Sequence, residues 1–257
     1  MTENKFPTEI VDLPSKGHFY PEDNPLSSGK IELRYMTARD EDILTSVNLI
    51  EQGKALDKLL QALIVDKDIE YNDLLVGDKN AIFVASRILA YGKEFSFSYL
   101  DGYGEKIQGK VDLTEIKAKE SDFSKYEKGV NLFSYKLPKS ERIVTFSIPT
   151  HKSEIEVEQE LEAVKKVFKD DREAIDRENS TRLKHLIKSV DGKQDKAYIN
   201  SFVDNEFFSV DSNAFRNYVS DQNPNLDFTA TTENSRGEKE QVAVPMTAKF
   251  FWPDSTI

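Results

Sequence analysis

The feature that most constrains this chain is an internal repeat. The stretch GEKIQGKV begins at residue 104 and GEKEQVAV begins at residue 237, a shift of 133 positions. Extended at that shift without a gap, the match covers 72–113 against 205–246. A repeated helix-plus-hairpin unit of this kind favours two similar halves that pack together. We therefore predict an α+β protein of two related halves, each made of helices plus a β-hairpin, related by internal duplication.

The repeated stretch predicts a hairpin in each half. EFSFSYL and IQGKVDL alternate apolar and polar residues around DGYGEK, and LDFTATTENSRGEKEQVAV follows the same pattern. A glycine in such a turn supplies positive φ, and charged neighbours keep the turn in water. The predicted tips, which are also candidate contact points, are Gly104, Glu105 and Lys106 in the first half and Gly237, Glu238 and Lys239 in the second.

The remaining pattern predicts where the halves begin and end. Residues 1–12 are expected to form an arm and 13–29 an extended loop rich in proline, within a first half that spans 1–116. The second half spans 137–257. The sequence leaves open whether the halves pack together or sit apart on a linker over 117–136.

Two aspartates occupy equivalent places in the repeat. Asp78 and Asp211 each precede an Asn-Ala pair at the start of a predicted helix. We predict that they cap these helices, because a carboxylate there accepts hydrogen bonds from free backbone N–H groups. Catalysis is the alternative role for such a pair of acids.

Composition excludes several function classes. The formal net charge of −11 disfavours binding to the phosphate backbone of nucleic acids. The chain has no cysteine, which removes thiol nucleophiles and cysteine-ligated metals. No apolar run reaches the ~20 residues of a membrane span, so no transmembrane segment is predicted.

No catalytic, cofactor-binding or metal-binding residues are predicted. The three histidines, His18, His151 and His185, lie far apart in the sequence. DKDIEY resembles the start of a calcium loop, but Tyr71 replaces the required glycine and Gly77 the final glutamate. We therefore expect a protein without cofactors and without enzymatic activity.

Aromatic residues at both ends of the chain are the other candidate contact points. They are Leu13, Pro14, Gly17, Phe19 and Tyr20 near the start and Phe250, Phe251 and Trp252 near the end. If exposed, such residues anchor interfaces, and an extended proline-rich segment loses little entropy on binding. If folded back, they complete the core. The sequence leaves both alternatives open.

Three stretches resemble the T4-type bacteriophage baseplate hub assembly family. They are LPSKGHFYPEDNPLSSGKIELRYMTARDEDIL, DSNAFRNYVSDQNPNLDF and VPMTAKFFWPD. The first is the most specific, with Leu13-Pro14-Ser15-Lys16-Gly17, Tyr20-Pro21, Pro25, Gly29, Met36-Thr37 and Asp40-Glu41. The resemblance implies a non-enzymatic role in building the central hub of a contractile-tail baseplate, in contact with other hub proteins in the host cytoplasm.

Alternatives to this role remain at this stage. The resemblance does not separate an assembly chaperone from a component of the finished hub. A generic protein adaptor that docks through its hairpin tips fits the same residues, and a hydrolase using clustered carboxylates fits the 46 acidic residues less well. Partner identity and oligomeric state stay open.

Overall fold

The computed structural model describes residues 7–167, 177–246 and 250–251. It confirms the predicted α+β class. The strands are β1 (Thr8–Asp12), β2 (Lys30–Arg34), β3 (Glu94–Leu100), β4 (Lys106–Asp112), β5 (Phe133–Lys136), β6 (Ile143–Phe146), β7 (Ile187–Val190), β8 (Thr229–Glu233) and β9 (Lys239–Ala243). The helices are α1 (Ala38–Thr45), α2 (Val47–Glu51), α3 (Ala55–Leu63), α4 (Val76–Tyr91), α5 (His151–Val167), α6 (Glu178–Leu186), α7 (Lys196–Asn205) and α8 (Ser209–Gln222).

The sheets are small and antiparallel. β1 pairs with β2, β3 with β4 and β8 with β9, while β5, β6 and β7 form one three-stranded sheet in that order. The prediction of an arm over 1–12 is wrong for the described part, because Thr8–Asp12 pairs along β2. Thr8–Asp12 shows little alternation of buried and exposed residues, and Ile10 is exposed. In this pair of strands, the buried apolar side chains come from β2.

Residues 13–29 form the loop that joins β1 to β2. Leu13 N–H donates to the Gly29 carbonyl at 2.9 Å, which closes the loop on itself. Gly17 has φ of +72°, and a Cβ there would lie 2.4 Å from the Ser27 carbonyl oxygen. This loop therefore requires glycine at position 17, both for its left-handed backbone and for the close approach.

Asp78 does not form the N-cap of its helix, contrary to the prediction. Leu75 is the N-cap residue of α4, and Asp78 lies within the first turn of the helix. Its carboxylate accepts from Ser15 N–H at 2.9 Å, from Ser15 Oγ at 2.7 Å and from Tyr20 Oη at 2.7 Å. The aspartate thus holds the loop after β1 against α4. Burial raises the pKa of Asp78, and these hydrogen bonds act in the opposite direction.

Asp211 has the equivalent role in the second half. It lies in the first turn of α8, with Phe208 as the N-cap residue. Its carboxylate accepts from Lys139 N–H at 2.6 Å and from Ser140 N–H at 3.0 Å, in the loop between β5 and β6. In each half, then, a buried aspartate at the start of a helix holds the loop that follows a Leu-Pro pair.

The two repeated segments have the same order of elements. Helix α4 and hairpin β3–β4 occupy the first segment, and helix α8 and hairpin β8–β9 occupy the second. Residues 76 and 209, where the two helices begin, differ by the same 133 positions as the sequence match. The likeness extends to structure, while an origin by duplication stays a prediction.

Residues 117–136 pack into the protein instead of forming a free linker. Phe123 is buried, and Ala118 forms a bridge with Leu226 of the second half. Phe133–Lys136 is strand β5, whose partner β6 also pairs with β7. Strand β7 was not predicted, because its four residues follow α6 directly and have no alternation of their own.

The halves are joined directly at the start of α4. Val76 N–H donates to the Pro149 carbonyl at 3.0 Å, and His151 N–H donates to the Leu74 carbonyl at 2.8 Å. On the same turn, a Cβ on Gly77 would lie 1.6 Å from the Pro224 carbonyl oxygen. Only a glycine admits this crossing of second-half backbone over α4.

We predict that Gly77→Ala lowers the free energy of unfolding. In an ordinary helix this change adds about 1 kcal/mol of stability. Here the new methyl group meets backbone, so we expect a loss of about 1–3 kcal/mol. Urea denaturation measures the difference.

Gly102→Ala is the matched control for this change. Its Cβ would meet only the Glu240 side chain, at 3.4 Å, and Gly102 does not have a left-handed φ. The control should change stability by less than about 0.5 kcal/mol. An unchanged or raised stability of Gly77→Ala would show that the crossing is not tight.

Candidate interaction surface

The two predicted hairpin tips have the same turn geometry. In the first, the Asp101 side chain accepts from the N–H groups of Tyr103 and Glu105, both at 2.9 Å. In the second, Asn234 Oδ1 accepts from Arg236 N–H at 2.9 Å and from Glu238 N–H at 3.0 Å. A short polar side chain therefore fixes each turn from inside.

Gly104 and Gly237 adopt the expected backbone. Their φ values are +82° and +76°, and each N–H donates back to the residue three positions earlier. Both glycines and their charged neighbours at 105, 106, 238 and 239 are exposed. These tip residues therefore lie where the sequence predicts them, at the surface.

The two tips are joined to each other, which the sequence did not predict. Asp101 Oδ2 accepts from Ser235 N–H at 3.0 Å and from Ser235 Oγ at 2.6 Å. Tyr103 Oη donates to Glu238 Oε2 at 2.9 Å, and the Arg236 guanidinium lies 3.6 Å from the centre of the Tyr103 ring. Residues from both halves thus form one bonded group.

Further bonds join the strands behind the tips. Gly102 N–H donates to Glu240 Oε1 at 3.0 Å, and Tyr99 Oη donates to the Glu233 carbonyl at 3.1 Å. The Ser235 hydroxyl, together with backbone N–H groups, lowers the pKa of Asp101 to about 2. Asp101 therefore stays ionised at neutral pH and serves both turns at once.

We call nine exposed residues at the two joined turns the joined-tip surface. Its members are Leu100, Tyr103, Gly104, Glu105, Lys106, Arg236, Gly237, Glu238 and Lys239. Leu100 is 70% exposed and Tyr103 46% exposed. Tyrosine and arginine are enriched at protein interfaces, and this pair is already ordered before any partner binds.

The aromatic ends lie in the core, which corrects the hypothesis that they meet a partner directly. Phe19 is 2% exposed, Tyr20 4%, Phe250 0% and Phe251 1%. Leu13, Pro14 and Gly17 are buried with them. Trp252 lies outside the described residues. The burial of the described residues agrees with the other alternative, in which these segments fold back and complete the core.

The last described residues close the core of the first half. Phe250 stacks on Phe83 of α4 with ring centres 5.0 Å apart, and Phe251 meets Phe83 edge-on at 4.8 Å. Arg87 Nε donates to the Phe250 carbonyl at 2.6 Å. Residues 250–251 are thus part of the packing of α4.

A cluster of titratable groups lies where α3, α4 and α5 meet. Lys79 Nζ lies 2.7 Å from Asp57 Oδ1 and 3.0 Å from His151 Nδ1, and Tyr71 Oη donates to Asp57. An ammonium group only donates, so Nδ1 of His151 accepts and the imidazole is neutral. Burial, and next the charge of Lys79, lower the pKa of His151.

This cluster is the strongest support for a hydrolase alternative. It borders a cavity of about 360 Å³ that Glu154 and Glu158 also line. The side chains of Asp57, Tyr71, Lys79 and His151 each have a partner inside the cluster, as expected for a structural network. Across the described ranges, no group of three or more His, Cys, Asp or Glu residues is arranged to hold a metal ion.

Sequence reasoning missed the residues that join the tips. Ser235 and Arg236 have no counterpart of the same type in the first turn, where Gly102 and Tyr103 stand. One sequence signal was usable: Asp101 and Asn234 are separated by the same 133 positions as the rest of the repeat. The different residues around that pair are those that bind the two turns together.

Comparison with known proteins gives one family. The model of a family described as T4 bacteriophage base plate protein matches residues 7–252. No curated protein and no solved structure matched the chain.

We predict that Phe251→Ala destabilises the protein strongly. The change removes a fully buried ring from its contact with Phe83. The free energy of unfolding should fall by about 3–5 kcal/mol, measured by urea denaturation. Leu100→Ala, at an exposed position, should change it by less than about 0.5 kcal/mol. Equal small effects would place Phe251 outside the core in solution.

We also predict a pH dependence that comes from His151. Its pKa is lowered from 6.5 in the folded state, so the unfolded chain takes up this proton first. The contribution of His151 to the free energy of unfolding is therefore complete above pH 6.5, the pKa in the unfolded chain. It is lost as the pH falls from 6.5 towards the lower pKa of the folded state. The charges of Asp57 and Glu154 act to raise this pKa, but burial and the charge of Lys79 lower it by more.

The measurement is urea denaturation from pH 7.5 to pH 5.5. His151→Gln should lose part of the decline in stability that the wild-type protein shows over this range. His18→Gln, which changes a histidine bonded to the Tyr126 carbonyl, is the control and should keep the decline. Identical slopes for wild type and His151→Gln would remove His151 as the source.

Proposed function

The chain belongs to the T4 bacteriophage base plate protein family, and from this premise we propose that it takes part in assembling the central hub of the phage baseplate. In this proposal it acts through contact alone, without catalysing a reaction. Its partners are other proteins of the baseplate, and it meets them in the host cytoplasm during assembly.

The joined-tip surface is the observation that carries this proposal. Tyr103 and Arg236 are held by bonds from both hairpins and remain open to solvent. A partner that binds there needs to order few side chains, so little of the binding energy is lost as entropy. Exposed Leu100 adds apolar area beside this pair, at the end of the same turn.

The placement of the acidic residues supports a role without catalysis. The duplicated pair, Asp78 and Asp211, is engaged in holding loops. Asp101 is engaged between the two turns. Among the helices of the described ranges, none combines the length and the apolar composition of a membrane span. We propose that the abundant surface carboxylates keep the free protein apart from other chains until a specific surface binds.

Deletion of the gene tests the proposal. A deletion phage should yield incomplete baseplates, seen by electron microscopy of infected-cell lysates, and a plasmid copy should restore them. Tyr103→Ala with Arg236→Ala should restore titre at least about tenfold less well, because such central residues dominate interfaces.

Lys193→Ala is the matched control. It removes a cation lying 4.6 Å from the centre of the Tyr198 ring, on another turn of the chain. The control should restore titre fully. Normal baseplates from the deletion phage would overturn the proposed function.

Mass spectrometry of purified virions separates the two forms of the proposal. A protein found in the particle at fixed stoichiometry is a hub component. A protein that particles require but do not contain is an assembly factor.

A further inference from the structure

The two halves offer the same surface at the start of their longest repeated helices. Leu75 and Phe208 are the N-cap residues of α4 and α8, with φ and ψ of −61° and 142° against −59° and 148°. Three residues after each N-cap residue lies an aspartate that is 0% exposed and holds a loop, Asp78 after Leu75 and Asp211 after Phe208. The two helix starts are therefore directly comparable.

In the first half, an extended segment of the chain covers this surface. Thr150 forms an antiparallel bridge with Leu75. The bonds on either side run from Val76 N–H to the Pro149 carbonyl and from His151 N–H to the Leu74 carbonyl. Leu75 is left only 2% exposed as a result.

In the second half, the same surface is bare. Phe208 is 52% exposed and Val210 63% exposed, although both are large apolar side chains. Within the part of the chain that the structure describes, Ser209 N–H and the Phe207 carbonyl have no protein partner. These two groups are the counterparts of Val76 N–H and the Leu74 carbonyl, which the first half bonds.

We infer that residues 207–210 form a docking site for an extended segment of another baseplate protein. The segment adds a short antiparallel bridge to Phe207–Ser209 and packs apolar side chains on Phe208 and Val210. Main-chain bonds supply part of the affinity, and the two side chains supply the specificity, as in other cases of strand addition. The inference rests on the proposed function for the nature of the partner.

The covering segment of the first half indicates the chemistry of the occupant. Ile148, Pro149 and Thr150 present an extended, uncharged stretch, and Ile148 is 1% exposed. This segment is engaged within its own chain, so it is not free to cover α8 of a second copy. The occupant is therefore a segment of similar character from a different protein.

One difference between the halves limits how the occupant lies. Gly77 admits the backbone of Pro224 directly over the helix, but Val210 stands in the equivalent place. The valine side chain prevents such a close crossing. The occupant therefore runs along Phe207–Ser209 and touches Val210 from the side.

Ser209→Pro tests the backbone bond with little risk to the fold. Ser209 is the first residue of α8, where proline is tolerated because its missing N–H has no partner within the helix. The extended backbone of Phe208 also suits a residue before proline. The change removes the donor that the occupant needs, and Ser209→Ala removes only the hydroxyl.

Phe208→Ser with Val210→Ser tests the apolar contact. Val47→Ser is the matched control, because Val47 is 68% exposed on another helix. The assay is twofold: complementation of the deletion phage by each plasmid-borne variant, and affinity of each purified variant for the other baseplate proteins of the same phage, purified singly.

The inference is supported if the test variants fail and the control variants do not. Ser209→Pro and the double serine variant should each lose at least about tenfold in titre and in affinity for one baseplate protein, with unchanged thermal melting. Ser209→Ala and Val47→Ser should behave as the wild-type protein does.

Several results would overturn the inference. Full activity of both test variants, while the deletion phage still lacks baseplates, leaves the proposed function standing and removes this site. Light scattering that shows a dimer abolished by the same variants makes the occupant a second copy. A deletion phage with normal baseplates removes both the proposed function and the partner inferred here.

Discussion

A carboxylate taken out of water needs hydrogen-bond donors, and the architecture of both halves depends on how two such groups find them. Asp78 and Asp211 are each 0% exposed, and each takes its donors from the loop after a Leu-Pro pair. The loops bring β1–β2 and β5–β6 against α4 and α8. In the first half Tyr20 adds a further bond, which places the aromatic start of the chain inside the core.

Much of the fold could be predicted because its signals are local. The period of two around each turn predicts both hairpins, and the structure has them at those places. The α+β class and most helices follow from the same kind of pattern. What failed depends on distant residues: β1 needs β2 as a partner, and β7 exists only because β6 lies beside it.

The candidate site shows the same limit more sharply. The turn residues and their exposure follow from Gly104, Gly237 and the charges beside them. That Asp101 of one turn binds Ser235 of the other cannot be seen in either turn alone. The aromatic ends were ambiguous for the same reason, since burial of Phe250 depends on Phe83, far away in the sequence. The bare surface at Phe208 emerges only when the two helix starts are compared in three dimensions.

The return of the last described residues to α4 has a consequence for synthesis of the protein. Phe250 and Phe251 fill space beside Phe83, so the core of the first half lacks two rings until residues 250–251 have been synthesised. Strand pairing and helix formation in that half are able to begin earlier, but its packing is completed only when these two residues reach α4. A nascent polypeptide that stops short of residue 250 therefore exposes the Phe83 side of α4, an apolar surface on which chaperones and proteases act.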